Sequence, residues 1–249
     1  MSQTPALPRK PDYGIDNPRD LRRNALYGLA GLIMGPVLLW LAQGGTFGLL
    51  LGGIALVCGV LLIAIVGIQI RGSKVGKVLL RDKLLNAHPW RGDEKVLDIG
   101  CGTGLMLIGA AKHLTTGKVT GIDMWLEADL SPNRPEITLQ NAVIEGVGDR
   151  VDVRRADARE LPYDSNSFDV VMSSWVIHLT MNDEQREHIL KEIERVVKPG
   201  GRIILVDIDR VDEYKHYFDM KNWQNVTKTG PYYLFVTASY ALTAVKPTI

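Results

Sequence analysis

The sequence predicts an α/β unit built on a mostly parallel sheet, preceded by two apolar helices of membrane-spanning length. Three observations carry this. Residues 25–70 contain no Asp, Glu, Lys, Arg or His. Strand-like and helix-like patterns then alternate from Lys95 to Asp207. A strand, a Gly-Pro break and a second strand close the chain. At 249 residues, with 46% hydrophobic and 23% charged residues, there is room for one ordinary folded domain and an appendage. The formal net charge is +1, without the basic excess of a nucleic-acid binder. Cys58 and Cys101 are the only cysteines, too few for a disulfide framework or a cysteine-rich metal site, and no metal is expected.

A helix needs about 20 residues to cross a hydrocarbon core of about 30 Å, so the uncharged run provides two crossings. Gln43, Gly44, Gly45 and Thr46 interrupt it as a polar turn, which places the spans at about 26–41 and 47–70. Pro36 and the glycines at 28, 31, 35, 48, 52, 53, 59 and 67 would weaken a helix in water. In a bilayer such residues are common, and small side chains let helices approach closely. Tyr27 and Trp40 fall near the ends of the first span, where interfacial aromatics sit. The run is too long for a secretory signal, and a buried hairpin of a soluble protein would need a polar face.

Arg9, Lys10, Arg19, Arg22 and Arg23 precede the first span, and Arg71, Lys74, Lys77, Arg81 and Lys83 follow the second, while the connecting turn is uncharged. By the positive-inside rule, residues 1–24 and everything after the second span are expected in the cytoplasm. In residues 71–91, Lys74, Lys77 and Arg81 recur at helical spacing beside Val75, Val78, Leu79 and Leu85. This reads either as a helix lying on anionic headgroups or as a solvated basic linker.

Residues 92–249 hold 18 Lys and Arg against 24 Asp and Glu, a formal charge of −6 that argues against a nucleic-acid partner. Strands are predicted at 95–99, 118–122, 151–154, 169–173 and 202–207, and helices at 104–113, 135–145 and 182–197. Asn182 or Asp183 caps the last of these helices, and Pro199, Gly200 and Gly201 stop it. Such alternation implies a parallel sheet covered on both faces, with ligands bound beyond the carboxyl ends of the strands. Residues 222–229 and 232–245, around Gly230 and Pro231, suggest an antiparallel hairpin at the sheet edge.

The chemistry starts where the first of these strands ends, at VLDIGCGTG in positions 96–104. A glycine-rich turn between strand and helix lets the backbone approach a ligand, and the helix N-terminus adds amide donors. A dinucleotide fingerprint would require a sixth-position glycine where Leu105 stands. Asp123, 25 residues after Asp98, ends the next strand, where a carboxylate can accept from both ribose hydroxyls. Ala156, Asp157 and Ala158 follow the third strand, and Ser173, Ser174 and Trp175 close the fourth.

With these pieces assembled, residues 92–210 resemble class I S-adenosylmethionine-dependent methyltransferases. The likeness rests on VLDIGCGTG at 96–104, GID at 121–123, DARELPYDSNSFDVV at 157–171 and RVVKPGGRIILVDI at 195–208. The resemblance implies a Rossmann-like sheet of seven strands with the last antiparallel, S-adenosylmethionine as donor and S-adenosylhomocysteine as product. It further implies that Gly100, Cys101, Gly102 and Gly104 pass under the methionine part with Asp98 close by. Asp123 would hold the ribose, Met124 would pack on adenine, Asp157 with Ala158 would meet the adenine edge, and Ser173 and Ser174 would border the donor pocket. Asp98 as a plain turn cap and Asp157 as a loop acid are the structural alternatives. Cys101 lacks a neighbouring His or a basic setting in the sequence, which argues against a nucleophile.

Methyl transfer from a sulfonium expels a neutral thioether, so no acid is required and alignment supplies much of the acceleration. A general base is needed only for an acceptor that arrives protonated. His178, just past the fourth strand, is the candidate, with packing or substrate contact as its other reading. Trp125, Trp175, Tyr217 and Trp223 are candidate walls of an acceptor pocket, or core residues. An insertion from Trp125 to Arg134, with Asp129, Ser131 and Asn133, adds to that region. Arsenite methylation would need more cysteines, and no Asn-Pro-Pro-Tyr motif follows the fourth strand. The pattern is nearer to small-molecule, quinone and sterol methyltransferases. The expected function is methylation of a small lipophilic acceptor by a membrane-anchored, multi-pass enzyme. Methylation of a phospholipid headgroup and donor binding without turnover are the alternatives.

Overall fold

The computed structural model describes residues 10–125, 130, 131 and 133–248; Arg9 and Asp129 lie outside them. After the two-residue strand β1 (Ile15–Asp16), Pro18 occupies the first turn of helix α1 (Pro18–Leu41), where its missing amide and fixed φ cost nothing. The chain reverses through residues 42–45 into α2 (Thr46–Arg71). The two helices pack antiparallel through their glycines. A methyl group on Gly31 would sit 2.7 Å from the Ala55 carbonyl oxygen, and one on Gly59 would sit 2.7 Å from the Leu32 amide nitrogen. The outward faces remain uncovered, with Leu26, Ile33, Phe47, Ile54 and Val57 each more than half exposed. Both helices are long and apolar enough to cross a membrane.

The second helix does not end at the apolar run. A π-helical turn, Gly72–Gly76, carries it into α3 (Lys77–Asn86), giving a continuous rod of 41 residues. Segment 71–91 is thus helical as far as Asn86, with two of its basic side chains turned into the protein rather than solvated. Lys77 and Arg81 are buried: Lys77 Nζ donates to the Tyr13 carbonyl at 2.7 Å and pairs with Asp16 at 3.0 Å, and the Arg81 guanidinium lies over the Tyr13 ring. Arg81 and Leu85 also press on Gly109, leaving no room for a side chain there.

The globular part continues as β2 (Lys95–Ile99), α4 (Leu105–Ala111), β3 (Lys118–Asp123), β4 (Leu130–Ser131), α5 (Pro135–Ile144), β5 (Val151–Arg155), β6 (Phe168–Ser174), α6 (Asp183–Val196), β7 (Val197–Asp207), α7 (Val211–Met220), β8 (Gln224–Tyr232) and β9 (Ser239–Val245). The main sheet has the order β5-β3-β2-β6-β7-β9-β8, with β9 antiparallel to both its neighbours and the other five adjacent strands parallel. One face is covered by α3, α4 and α5, the other by α6 and α7. Asn182 caps α6 by accepting from the Gln185 amide at 2.9 Å. Because strand order reverses about β2, the β2 and β6 ends flank a crevice at their carboxyl side.

Two expectations about the carboxyl-terminal half are corrected, and one helix there is not foreseen in the sequence. Residues 211–220 form α7, which buries Tyr214 and Phe218 against the sheet. Gly230 and Pro231 lie inside β8, and the reversal falls at 233–238. Strand β7 starts at Val197, directly after α6, so Pro199 to Gly201 belong to the strand.

Candidate active site

The turn from β2 into α4 is forced by glycine. Gly100, Gly102 and Gly104 adopt φ of 70°, 50° and 92°, values that side-chain-bearing residues rarely take. The Gly100 and Cys101 amides donate to the Ile122 carbonyl at 2.8 and 3.0 Å, tying the turn to β3. Asp123, at the end of β3, accepts from the Gly102 amide at 2.7 Å and the Trp125 amide at 2.6 Å. The Gly102 carbonyl in turn accepts from Thr138 Oγ1 at 2.6 Å and Trp125 Nε1 at 3.1 Å.

Gly100, Cys101, Gly102, Ile122 and Asp123 line one wall of a cleft of about 780 Å³, within the size range of ligand sites. Gly100, Cys101, Gly102, Asp123, Met124, Asp157, Ala158, Ser174, Trp175 and His178 all border it. Asp157 is ion-paired with Arg159 at 2.5 Å, and this hydrogen-bonded guanidinium holds its carboxyl below the ordinary range. Burial raises the Cys101 thiol well above its usual value, so it is no thiolate nucleophile. Trp175, with φ of 54°, borders the cleft; Trp125, with φ of 48°, does not, and packs against the core with its Nε1 on the Gly102 carbonyl.

Several expected residues lie elsewhere. Ser173 is buried within β6 and Gly104 caps α4; neither borders the cleft. Asp98 stands behind the glycine turn, fully buried, with no hydrogen bond of ordinary geometry to either carboxylate oxygen. Burial, with the charge of Asp123 adding, pushes its carboxyl up to about 8. Tyr217 and Trp223 are not acceptor walls. The Tyr217 hydroxyl donates to Glu194 at 2.6 Å on the far face, and Trp223 packs on Phe218 in the core.

Two features were missed by sequence reasoning. His178 Nδ1 lies against the carboxylate of Asp207, a buried residue at the end of β7 that also accepts from the Tyr214 hydroxyl at 3.2 Å. An acid ending a strand was visible in the sequence, but its partner 29 residues earlier was not. The cleft's other wall comes from the amino-terminal part: Tyr13, Asp16, Asn17, Asp20 and Asn24, with Ile65, Gln69 and Lys77 from the long rod. Asn141 fixes this arm to the turn, donating through Nδ2 to the carbonyls of Asp12 at 2.8 Å and Thr103 at 3.0 Å.

The residues present fit S-adenosylmethionine. A glycine turn with room only for backbone, a carboxylate at the β3 end and a second at 157 suit a cationic amino-acid part, a ribose and an adenine edge in that order.

Residues 97–205 match the sequence profile of the family described as "Methyltransferase domain". Curated relatives include methyltransferase GfsG of Streptomyces halstedii, 37% identical over 46% of this chain and 37% of its own length. The 27-O-demethylrifamycin SV methyltransferase of Amycolatopsis mediterranei is 38% identical over 51% and 43%, respectively. Demethylmenaquinone methyltransferase of Symbiobacterium thermophilum is 32% identical over 52% and 48%. The chain thus spans less than half the length of each of these relatives. Among solved structures, the 4+2 cyclase SpnF is 19% identical with a TM-score of 0.57, covering 69% of this chain and 82% of that one. The S-adenosylmethionine-dependent methyltransferase from Mesorhizobium loti is 17% identical with a TM-score of 0.51, covering 66% and 96%. These two share the fold.

The match over residues 97–205, together with a cleft whose lining suits S-adenosylmethionine, makes this segment similar to a methyltransferase domain. Its cofactor is S-adenosylmethionine, and named relatives of the same kind act on small molecules.

Proposed function

We propose that the protein is a membrane-anchored methyltransferase that acts from the cytoplasmic face on a small, lipophilic acceptor. The carrying observation is one cleft whose walls are the donor-binding turn on one side and the inner ends of two apolar helices on the other. Uncovered Leu, Ile, Phe and Val side chains along both helices support anchoring, because water penalises each of them by about 25 cal/mol per Å². The basic flanks on both sides of the hairpin support the orientation. The relatives' printed substrates, a rifamycin precursor and demethylmenaquinone, favour a ring-bearing small molecule.

The donor supplies an electrophilic methyl group on a sulfonium. The glycine turn and Asp123 hold the donor, and His178 accepts the proton of an acceptor hydroxyl or carbon acid. Asp207 orients the imidazole. The phospholipid-headgroup alternative loses its main support, since Lys77 and Arg81 face the protein interior.

The test is turnover by the full chain reconstituted in nanodiscs and supplied with membrane lipid extract. S-adenosylhomocysteine formed together with a methylated, non-phosphorus lipid product supports the reading. A methylated phospholipid would replace it with the headgroup reading. Donor binding without product from any extract would leave a donor-binding scaffold.

A further inference from the structure

Building on the membrane-anchored reading, we infer that the acceptor is an amphiphile with a long apolar tail, that it enters laterally from the bilayer, and that the hairpin forms part of its binding site. A tether alone would leave the cleft walled by the methyltransferase domain. Instead the cavity runs without a break from Gly100 and Asp123 to Ile65, which lies inside the uncharged run.

The path joins apolar and polar side chains. Ile65 stands at its bilayer end. On the same wall stand Asn24, Gln69 and Asn17, with Asp20 and the Lys77–Asp16 ion pair beside them. This wall is built into the fold: Gln69 Nε2 donates to the carbonyls of Asp16 at 2.9 Å and Asn17 at 3.3 Å, locking the second helix to the arm that precedes the first. The same cleft holds His178 and the donor turn. Such an arrangement suits a polar head that travels inward while its tail stays against apolar side chains.

The domain's own rim continues the apolar surface. Leu179 and Met181 after β6, and Val236 between β8 and β9, border the cleft with 52%, 92% and 61% of their surfaces exposed. The Val236 loop is seated on the rod, since a side chain at Gly72 would collide with Leu234 and Phe235. Rim and hairpin are therefore joined, and an acyl or isoprenoid tail would cover apolar side chains that water otherwise wets.

The experiment places the full chain in nanodiscs of palmitoyl-oleoyl phosphatidylcholine containing a phosphatidylcholine with a photoreactive diazirine in its acyl chain. Labelled residues are then mapped by mass spectrometry. Leu50, Val57 and Leu61, outward on α2, report whether the hairpin is in the bilayer. Label on these and also on Ile65, Leu179, Met181 or Val236 is the expected result. Label on the outward residues alone overturns lateral entry and leaves anchoring intact; label on none of them overturns anchoring itself. As a second readout, Ile65→Trp narrows the path and is expected to raise KM for the extract-derived acceptor about tenfold at unchanged donor affinity. An unchanged KM in a folded variant counts against the inference. The mass of the product distinguishes a phospholipid from a ring-headed amphiphile.

Discussion

His178 and Asp207 meet through Nδ1 and Oδ1, while Oδ2 of the same carboxylate accepts from the His178 amide at 3.1 Å and from the Tyr214 hydroxyl at 3.2 Å. These three contacts, with the Ile208 amide donating to Oδ1 at 2.9 Å, hold a carboxylate with 2% of its surface exposed against an imidazole that borders the cleft. With Nδ1 lying against Asp207 Oδ1, the proposed base would act through Nε2.

For an acceptor that enters protonated, His178→Ala should lower kcat about 10²–10⁴-fold, the usual worth of a positioned base. Added imidazole should restore part of the loss. Asp207→Asn should lower kcat by a smaller factor, and donor affinity should stay unchanged in both variants. Steady-state kinetics and calorimetric titration of the donor check this; equal kcat in wild type and His178→Ala would remove the base from the account.

Gly100→Ala should disable the donor turn. The new methyl group would lie 2.2 Å from Val176 Cγ2, at a φ of 70°. The backbone strain alone costs about 1–3 kcal/mol. Adding Val176→Ala should relieve the collision but not the strain, so thermal melting of the single and double variants separates the two contributions.

The buried Asp98 makes stability fall with rising pH. Its carboxyl is pushed from 3.8 to about 8, so its contribution is complete below about 4 and is lost as pH rises through 8. Burial pulls His88 the other way, from 6.5 to about 4, so its contribution is complete above 6.5 and lost on acidification. The carboxylates held low by cationic partners, such as Asp157 and Asp169, act only in acid. Between pH 6.5 and 8 Asp98 should itself cost donor-free protein ~1 kcal/mol per pH unit. Denaturant titrations should show that slope, and Asp98→Asn should flatten it.

In the hairpin, Gly31→Leu should force the helices apart, because its Cβ would lie 2.7 Å from the Ala55 carbonyl oxygen and 2.9 Å from Gly59 Cα. Gly53→Leu meets nothing within 4 Å and is the matched control. Melting in detergent should fall for the first and hold for the second.

Local pattern carried most of the fold. The uncharged run, the β2 turn and the Asn182 cap each declare themselves within a few residues, and all appear where the sequence places them. Helix α7 was hidden because its apolar residues, Val211, Tyr214 and Phe218, are sparse among charges. Gly230 and Pro231 misled because a break signal is equally at home in a strand beside a sheet edge. Asp123, Asp157, Gly100 and Gly102 border the cleft because each ends or follows a strand, a position visible in the sequence. The pairing of His178 with Asp207, and the burial of Lys77 and Arg81, depend on tertiary packing. No spacing rule reports that the second apolar helix runs on as a rigid rod into the domain.

Calorimetric titration of S-adenosylmethionine into the detergent-solubilised full chain tests the central claim most directly. One donor should bind per chain, and Asp123→Asn, which disturbs the carboxylate holding both the Gly102 and Trp125 amides, should weaken binding at least about tenfold, or ~1.4 kcal/mol. No uptake by the wild type, or equal affinity in the variant, would contradict the account.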